Sequence, residues 1–313
     1  MKNKMYLILP CYNEEEILDS SIKKLNKKMN ELIKNKKIDK NSKMVFIDDG
    51  SKDKTWNIIK NASNKNSRII GLKFSGNKGH QAAVLAGLRY STNKCDFTIS
   101  IDSDLQQDIN AIDDFIEKYN DGNQIVYGVR NSRNTDGFFK KISSQMFYKL
   151  MTIFGCNIIP NHADYRLVSN KVLIELNKYE EQSIFLRGLF PSMGYKNDIV
   201  YFDVFEREAG KSKYTLKKML RLAKDGITAF SVKPLQIITY FGVLIFILSS
   251  LFLLQYIFFQ NNIILYFGIA FLPCSFILIS LGIIASYIGQ IYEESKKRPK
   301  YLIEEVIDNE IVR

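Results

Sequence analysis

Apolar and polar positions along residues 1–214 alternate between two repeating patterns. Short apolar runs end in turn residues, and segments with helical spacing follow them, which favours a parallel sheet with helical crossovers. The predicted strands are Met5–Pro10, Met44–Ile47, Arg68–Phe74, Phe97–Ile101 and Gln124–Val129. The predicted helices are Glu14–Lys34 with Asn13 as N-cap, a helix from Asp53 to about Asn64, Gly79–Tyr90 and Asp108–Tyr119. The pattern predicts an α/β domain with a mostly parallel sheet.

A different pattern begins at Pro234. No Asp, Glu, Lys or Arg occurs from there to Tyr292, and two apolar stretches lie inside, Leu235–Phe259 and Ile263–Ile288. Each exceeds the ~20 residues that a helix needs to cross a bilayer. Basic residues flank both stretches and the turn between them is uncharged, so both termini are expected in the cytoplasm. A buried helical hairpin of a soluble protein is the alternative.

These patterns predict four parts of the chain. A cytoplasmic domain occupies residues 1–214, an amphipathic juxtamembrane segment 215–233, two transmembrane helices 234–292 (about 235–259 and 263–288), and a cytoplasmic tail 293–313. We therefore expect a multi-pass protein of the inner (plasma) membrane. The tail residues Pro299–Ile303 are predicted as a short strand. Whether that strand pairs with another subunit, as in a homo-oligomer, is left open.

The net charge and the few cysteines and histidines limit the ligands that the protein is expected to bind. The formal net charge is +11, which suits anionic lipid headgroups or phosphorylated substrates. The four cysteines form no Cys-x-x-Cys pair and only two histidines are present, which disfavours a zinc site or a disulfide framework.

Acidic residues follow the fourth predicted strand, in Asp102-Ser103-Asp104-Leu105-Gln106. Carboxylate and amide oxygens are hard ligands that suit Mg²⁺ or Mn²⁺, and such a cation usually binds substrate phosphates. The segments Pro10–Glu14 and Asp48–Ser51 follow the first two strands. All three would meet at the edge where open α/β sheets bind ligands. The alternative for the acidic segment is a solvated turn.

The order and spacing of these segments resemble the family 2 glycosyltransferases of GT-A fold, and more narrowly the polyprenyl-phosphate glycosyltransferases. The resemblance implies roles for individual residues. It assigns nucleotide-sugar binding to Pro10, Tyr12, Glu14, Asp49 and Asp102, the metal to Asp102, Asp104 and Gln106, and catalysis to Asp104 and Asp164. Tyr12 could instead pack in the core, and Asp48 is expected to cap a turn.

The resemblance also implies an acceptor, a polyprenyl phosphate such as undecaprenyl phosphate. The candidates for binding its phosphate are Arg130, Arg133, Arg207, Lys211, Ser212 and Lys213, although the last four could form only a polybasic membrane anchor. A phosphate monoester is largely a dianion at neutral pH and is itself the nucleophile. Asp164 is therefore a candidate base, a positioning group or an arginine partner, and displacement is expected with inversion.

The donor is expected to be UDP-glucose or UDP-N-acetylglucosamine, with GDP-mannose as an alternative. A processive polysaccharide synthase is disfavoured because no Gln-x-x-Arg-Trp motif is present, the one tryptophan being Trp56. No Gly-x-Gly-x-x-Gly follows the first strand, which disfavours a dehydrogenase. A non-catalytic basic membrane scaffold is the remaining alternative, and no nucleic-acid partner is expected.

Overall fold

The structure is a computed structural model. It describes residues 2–131, 159, 162–181, 185–205 and 294–309, together with positions 273, 276–277, 280–281, 283–284 and 287–292. The described strands are β1 (Met5–Cys11), β2 (Lys43–Asp48), β3 (Ile69–Phe74), β4 (Phe97–Ser100), β5 (Ile125–Arg130), β6 (His162–Ser169), β7 (Asn197–Phe202) and β8 (Ile303–Ile307). The helices with defined bounds are α1 (Leu18–Lys34), α2 (Thr55–Lys65), α3 (His80–Ser91), α4 (Ile112–Asn120, after a 3₁₀ turn at Ile109–Ala111), α5 (Asn170–Leu176) and α6 (Leu186–Ser192).

One sheet in the order β7-β5-β6-β4-β1-β2-β3-β8 contains all of these strands. β4, β1, β2 and β3 run parallel, with Leu7 of β1 in register with Met44 of β2 and Ile99 of β4. β6 lies antiparallel between β4 and β5, while β7 runs parallel to β5 and β8 runs antiparallel to β3. The predicted α/β domain with a mostly parallel sheet is confirmed.

Helices cover both faces of the sheet. Side chains alternate along a strand, so Leu7 and Leu9 of β1 pack with α1, α2 and α4, whereas Tyr6 and Ile8 pack with α3, α5 and α6. Strands buried on both faces read as continuous apolar runs, as β1 does. The result is a three-layer core that leaves the loops at the strand ends free to carry chemistry.

The start of the first helix differs from the prediction. α1 begins at Leu18, and Asn13 does not cap it. Asn13 instead has φ +52°, and its side-chain oxygen accepts a hydrogen bond from the backbone N–H of Lys52 at 2.9 Å. Asparagine tolerates this left-handed conformation, and its short side chain is better placed to hold the loop after β2.

The predicted tail strand is shifted. β8 covers Ile303–Ile307 rather than Pro299–Ile303, and it pairs with β3 of the same chain. Of Pro299–Ile303, only Ile303 lies in the ladder, while the carbonyl of Leu302 accepts a hydrogen bond from Ser75 beyond it. The tail therefore extends the sheet of its own chain at the β3 edge.

Within the described positions, no helix has both the length and the apolar character needed to cross a membrane. The first predicted span, the segment 215–233 and most of the second span lie outside the residues that the structure describes.

Candidate functional site

The loops after β1 and β2 are fastened to each other at the carboxyl edge of the sheet. The N–H of Asn13 donates to Ser51 Oγ at 2.9 Å, and the N–H of Glu14 donates to Thr55 Oγ1 at 2.8 Å. Pro10 is buried in β1, whereas Tyr12 and Glu14 are partly exposed at this edge. The fold thus brings together the two loops that carry Tyr12, Glu14 and Asp49.

Asp48, the last residue of β2, and Asp49, which follows it, have different roles. Asp48 is fully buried and its Oδ1 accepts from the N–H of Ser51 at 3.2 Å, which is the expected turn-capping contact. Its Oδ2 has no hydrogen-bond partner among the described residues. Burial raises the pKa of Asp48 above its ordinary value, against the opposing effect of the Ser51 hydrogen bonds.

Asp49 organises the segment that precedes α3. Its carboxylate accepts from the N–H of Lys78 at 2.6 Å, the N–H of Gly79 at 2.8 Å and Asn77 Nδ2 at 3.0 Å. Burial raises the pKa of Asp49, and the two backbone hydrogen bonds oppose that rise. Asp49 therefore holds the neighbouring loop in shape, and its role in donor binding stays a prediction.

Asp102 lies in the turn after β4, and both of its carboxylate oxygens have hydrogen-bond partners. Oδ1 lies 2.9 Å from His80 Nε2, and Oδ2 accepts from Gln107 Nε2 at 2.7 Å. Gln107 Oε1 in turn accepts from the N–H of Asp102 at 2.9 Å. Burial favours the neutral acid, but the hydrogen bond from His80 and its charge outweigh burial, so the pKa of Asp102 is lowered.

Asp104 and Gln106 complete a set of oxygen donors on the same turn. Leu105 between them has φ +49°, and the N–H of Gln106 donates to Asp104 Oδ1 at 3.3 Å. No group of three or more His, Cys, Asp or Glu side chains in the described part of the chain is placed to hold a metal. Two carboxylates and an amide nevertheless fit a hard divalent cation by their chemistry, because Mg²⁺ commonly keeps waters and binds substrate phosphates as its other ligands.

Asp164 on β6 is held in place by arginine. Arg187 Nε and Nη2 donate to its two oxygens at 3.1 and 2.8 Å, and Arg166 Nη2 lies 3.8 Å away. Burial raises the pKa of Asp164, but the charge and hydrogen bonds of Arg187 outweigh burial and hold the pKa far below its usual range. The pairing with an arginine, one of the roles left open by the sequence, is therefore observed, and a carboxylate so paired is a weak proton acceptor.

His80, the first residue of α3, joins the two acids. Its Nε2 contacts Asp102, and its Nδ1 lies 3.8 Å from Asp164 Oδ2. Burial lowers the pKa of His80, but the hydrogen bond and charge of Asp102 and the charge of Asp164 outweigh burial and raise it to about 9. The imidazolium thus connects the carboxylate turn with β6.

Two residues of this cluster were not identified from the sequence. Gln107 follows the predicted Gln106 directly, and the doubled glutamine was the only signal for it. Arg187 is separated from Asp164 by 23 positions and belongs to a short helix, so no local pattern points to their pairing.

The predicted acceptor-binding residues are described only in part. Arg130 ends β5 and is partly exposed. Arg133, Arg207, Lys211, Ser212 and Lys213 lie outside the described residues. Just before Arg207 in sequence, Phe205 donates its N–H to the carbonyl of Gln106 at 2.8 Å, and Gln107 bridges to Val204. The chain therefore runs toward its basic segment from beside the carboxylate turn.

Comparison with known proteins adds independent information. Residues 6–177 match the profile of glycosyl transferase family 2. YkoT of Bacillus subtilis strain 168, described as an uncharacterized glycosyltransferase, is 45% identical over 311 residues, which are 97% of this chain and 92% of YkoT. A prophage bactoprenol glucosyl transferase homolog of Escherichia coli K12 is 36% identical over 312 residues (97% and 99% of the two chains). The bactoprenol glucosyl transferase of Shigella phage SfX is 36% identical over 309 residues (96% and 98%). Because the family match spans more than half of the chain and includes the loops after β1, β2 and β4, this protein belongs to glycosyl transferase family 2 and is a glycosyltransferase enzyme.

Proposed function

We propose that this enzyme transfers a sugar from a nucleotide sugar to a polyprenyl phosphate at the cytoplasmic surface of the membrane, forming a lipid-linked sugar. The observation that carries the proposal is the 36% identity, over nearly the full length of both chains, to proteins named bactoprenol glucosyl transferase. Those names favour glucose, and therefore UDP-glucose, as the donated sugar. UDP-N-acetylglucosamine and GDP-mannose are the alternatives to be tested.

The donor side of the proposed site consists of Pro10, Tyr12, Glu14, Asp49 and Asp102, at the ends of β1, β2 and β4. Tyr12 offers an aromatic face to the base, and a carboxylate accepts hydrogen bonds from a base or ribose. Ligands of open α/β sheets bind at this edge, which supports the assignment.

Asp102, Asp104 and Gln106 would hold Mg²⁺ or Mn²⁺ together with the donor diphosphate. A bound divalent cation offsets the negative charge that builds on the departing nucleoside diphosphate. His80 and Gln107 fix the orientation of Asp102. The carboxylates would then need little rearrangement when the donor binds.

On the acceptor side, Arg130, Arg133, Arg207, Lys211, Ser212 and Lys213 would bind the lipid phosphate. That phosphate has a second pKa of about 6, so it attacks the anomeric carbon as a dianion without a strong base. Asp164 would act by positioning, because Arg187 occupies both of its oxygens. Catalysis then rests on alignment and charge stabilisation, with inversion at the anomeric carbon.

Placement at the membrane is part of the proposal. The segment 215–233 would lie in the interface, and residues 235–259 and 263–288 would cross the inner membrane with both termini in the cytoplasm. At the described positions, Ile277, Leu281, Ile284, Ile288 and Ile291 expose 44–67% of their surface, at spacings of three and four residues. Such spacing places them on one helix face, which suits contact with lipid.

A transfer assay tests this function. Purified full-length protein in detergent receives undecaprenyl phosphate and, in separate reactions, UDP-glucose, UDP-N-acetylglucosamine or GDP-mannose labelled in the sugar. We expect labelled lipid from one donor, dependent on Mg²⁺ or Mn²⁺ and absent with EDTA. Undecaprenol, which lacks the phosphate, is the matched control and should stay unlabelled. Folded protein that labels no lipid from any donor in the presence of metal would refute the proposed acceptor.

A further inference from the structure

The C-terminal segment Tyr301–Asn309 is fastened along the outer edge of the sheet. β8 pairs with β3, with Val306 opposite Leu72. The N–H of Ser75 donates to the carbonyl of Leu302 at 3.1 Å, so the contact continues beyond the end of β3. The ring of Tyr301 stacks on Phe74, with centroids 5.0 Å apart and planes 5° from parallel.

Side chains of this segment also reach helices on both faces of the sheet. Glu305 accepts from Trp56 Nε1 at 2.9 Å and pairs with Lys60 Nζ at 2.8 Å, both on α2. Asp308 accepts from the hydroxyl of Tyr90 on α3. The segment thus contacts α2, β3 and α3 at once, far more than pairing of an edge strand requires.

The residues next to this segment are those of the loop Ser75–Gly79, which joins β3 to α3. On one side of the loop, Ser75 is bonded to the tail. On the other side, Lys78 and Gly79 donate to Asp49. Gly50 packs so closely that a Cβ added there would lie 2.5 Å from the carbonyl carbon of Gly76. The loop is therefore enclosed between the tail and the end of β2.

We propose that Tyr301–Asn309 is a clasp that holds the loop Ser75–Gly79 in the conformation that binds the nucleotide sugar. The inference rests on the proposed function, since it takes the β2 and β4 ends as the donor site. Residues 293–300 separate the clasp from the charge-free region 234–292, so the clasp also connects donor binding to the part of the chain proposed to sit in the membrane. Tyr301 and Glu305 are thus positioning residues for the donor.

Kinetics of clasp variants in the full-length enzyme test the proposal. Tyr301→Ala removes the stacking contact, and we expect the donor KM to rise about three- to tenfold. The kcat at saturating donor and the KM for undecaprenyl phosphate should not change. Leu302→Ala is the matched control, because this neighbouring side chain is 56% exposed and only its backbone contacts Ser75. Tyr301→Phe keeps the ring that stacks on Phe74 while losing the hydroxyl contact with Arg89, and we expect it to restore the donor KM.

Release of the clasp can be followed separately by the fluorescence of Trp56, the single tryptophan of the chain. Its indole N–H donates a hydrogen bond to Glu305 of the clasp. Glu305→Gln is a milder variant for use if Tyr301→Ala does not fold. A variant that changes Trp56 emission yet leaves the donor KM and the affinity for UDP and GDP unchanged would overturn the clasp. Wild-type enzyme that binds neither UDP nor GDP would instead overturn the proposed function, and the clasp with it.

A double-variant test links the clasp to the loop. Asn77→Ala removes the side-chain contact of the loop with Asp49. If the clasp affects donor binding by holding this loop, the two substitutions disturb the same contact. The double variant Tyr301→Ala with Asn77→Ala should then raise the donor KM by less than the product of the two single fold-changes. A full product would contradict the coupling.

Discussion

Among individual residues, the charges of the site neutralise one another. His80 bridges Asp102 and Asp164, and Arg187 binds both oxygens of Asp164. Asp164 is 10% exposed and Arg187 is 22% exposed, so these charges are poorly solvated. When an ion pair is this poorly solvated, removing one charged partner lowers the stability of the protein more than removing both, because one buried charge is left unpaired.

This cluster gives a first prediction. Arg187→Gln should destabilise the protein by about 3–5 kcal/mol, because it leaves Asp164 without its main partner. The double variant Arg187→Gln with Asp164→Asn should recover part of that loss, as measured by urea unfolding. Lys178→Gln is the control, since the pair of Lys178 with Glu175 is exposed and its removal should leave the stability close to that of the wild type. A double variant as unstable as Arg187→Gln alone would contradict the view that the unpaired charge of Asp164 causes the loss.

A second prediction concerns pH and His162, a buried residue at the start of β6. Its Nδ1 donates to the carbonyl of Ile159 at 2.9 Å, and its Nε2 accepts from Arg166 at 3.2 Å, which is the neutral tautomer. Burial and the charges of Arg166 and Arg187 lower its pKa from 6.5 to about 3. The unfolded chain therefore takes up a proton that the folded chain does not, and stability is lost as pH falls below about 6.5.

The loss from His162 should reach about 2 kcal/mol between pH 6.5 and pH 5. His80 makes stability depend on pH in the opposite direction. Its pKa is raised to about 9, so its contribution to stability is complete below about pH 6.5 and disappears as the pH rises through 9. The informative quantity is therefore the difference between wild type and His162→Gln, measured by urea unfolding at several pH values. A variant with the same dependence on pH as the wild type would contradict the assignment.

Among the secondary-structure elements, α3 follows the loop Ser75–Gly79 and begins with His80. Gly87 sets the distance between α3 and the sheet. A Cβ at that position would lie 2.4 Å from Ile8 Cγ2 and 2.8 Å from Ile47 Cδ1. Neither side chain is free to move, because both are fully buried between strands and helix. The absence of a side chain at residue 87 is what lets α3 pack against β1 and β2.

Gly87→Ala should consequently destabilise the protein by about 1–3 kcal/mol, although alanine is the better helix former. Gly76→Ala is the control, since a Cβ there meets no atom within 4 Å. Thermal unfolding of both variants measures the difference. A Gly87→Ala protein as stable as the wild type would show that α3 can shift without cost.

The secondary-structure elements differ in how well the sequence alone predicts them. The strands β1 to β5 and the acidic turn were predicted because short apolar runs bounded by polar and turn residues leave a local signal. β6, β7, α5 and α6 were not predicted, and β8 was misplaced. The three strands pair with strands that are distant in sequence, which leaves no local signal. The same limit applies to the site: Asp102 and Asp164 were recognised by type, whereas the bridge through His80 and the pair with Arg187 exist only in the folded chain.

The molecule as a whole combines a sheet edge lined with acids and a net charge of +11. Both features suit the proposed reaction of an anionic donor with an anionic lipid, because the acids would hold a divalent cation and the excess of basic residues would attract phosphates. The charge-free residues 234–292 add the proposed membrane contact. Activity should therefore depend on Asp102 and Asp104, in the turn after β4, far more than on acids elsewhere on the domain.

The most direct measurement compares sugar transfer by the wild type, Asp104→Asn and Asp121→Asn, with UDP-glucose, undecaprenyl phosphate and Mn²⁺. Asp121 is an exposed acid after α4, at the opposite end of the sheet, and serves as the matched control. We predict that Asp104→Asn lowers the rate at least about 100-fold, as expected for loss of metal-assisted departure of the diphosphate, while Asp121→Asn stays near the wild type. Undiminished transfer by a folded Asp104→Asn protein would contradict the placement of the reaction at the turn after β4.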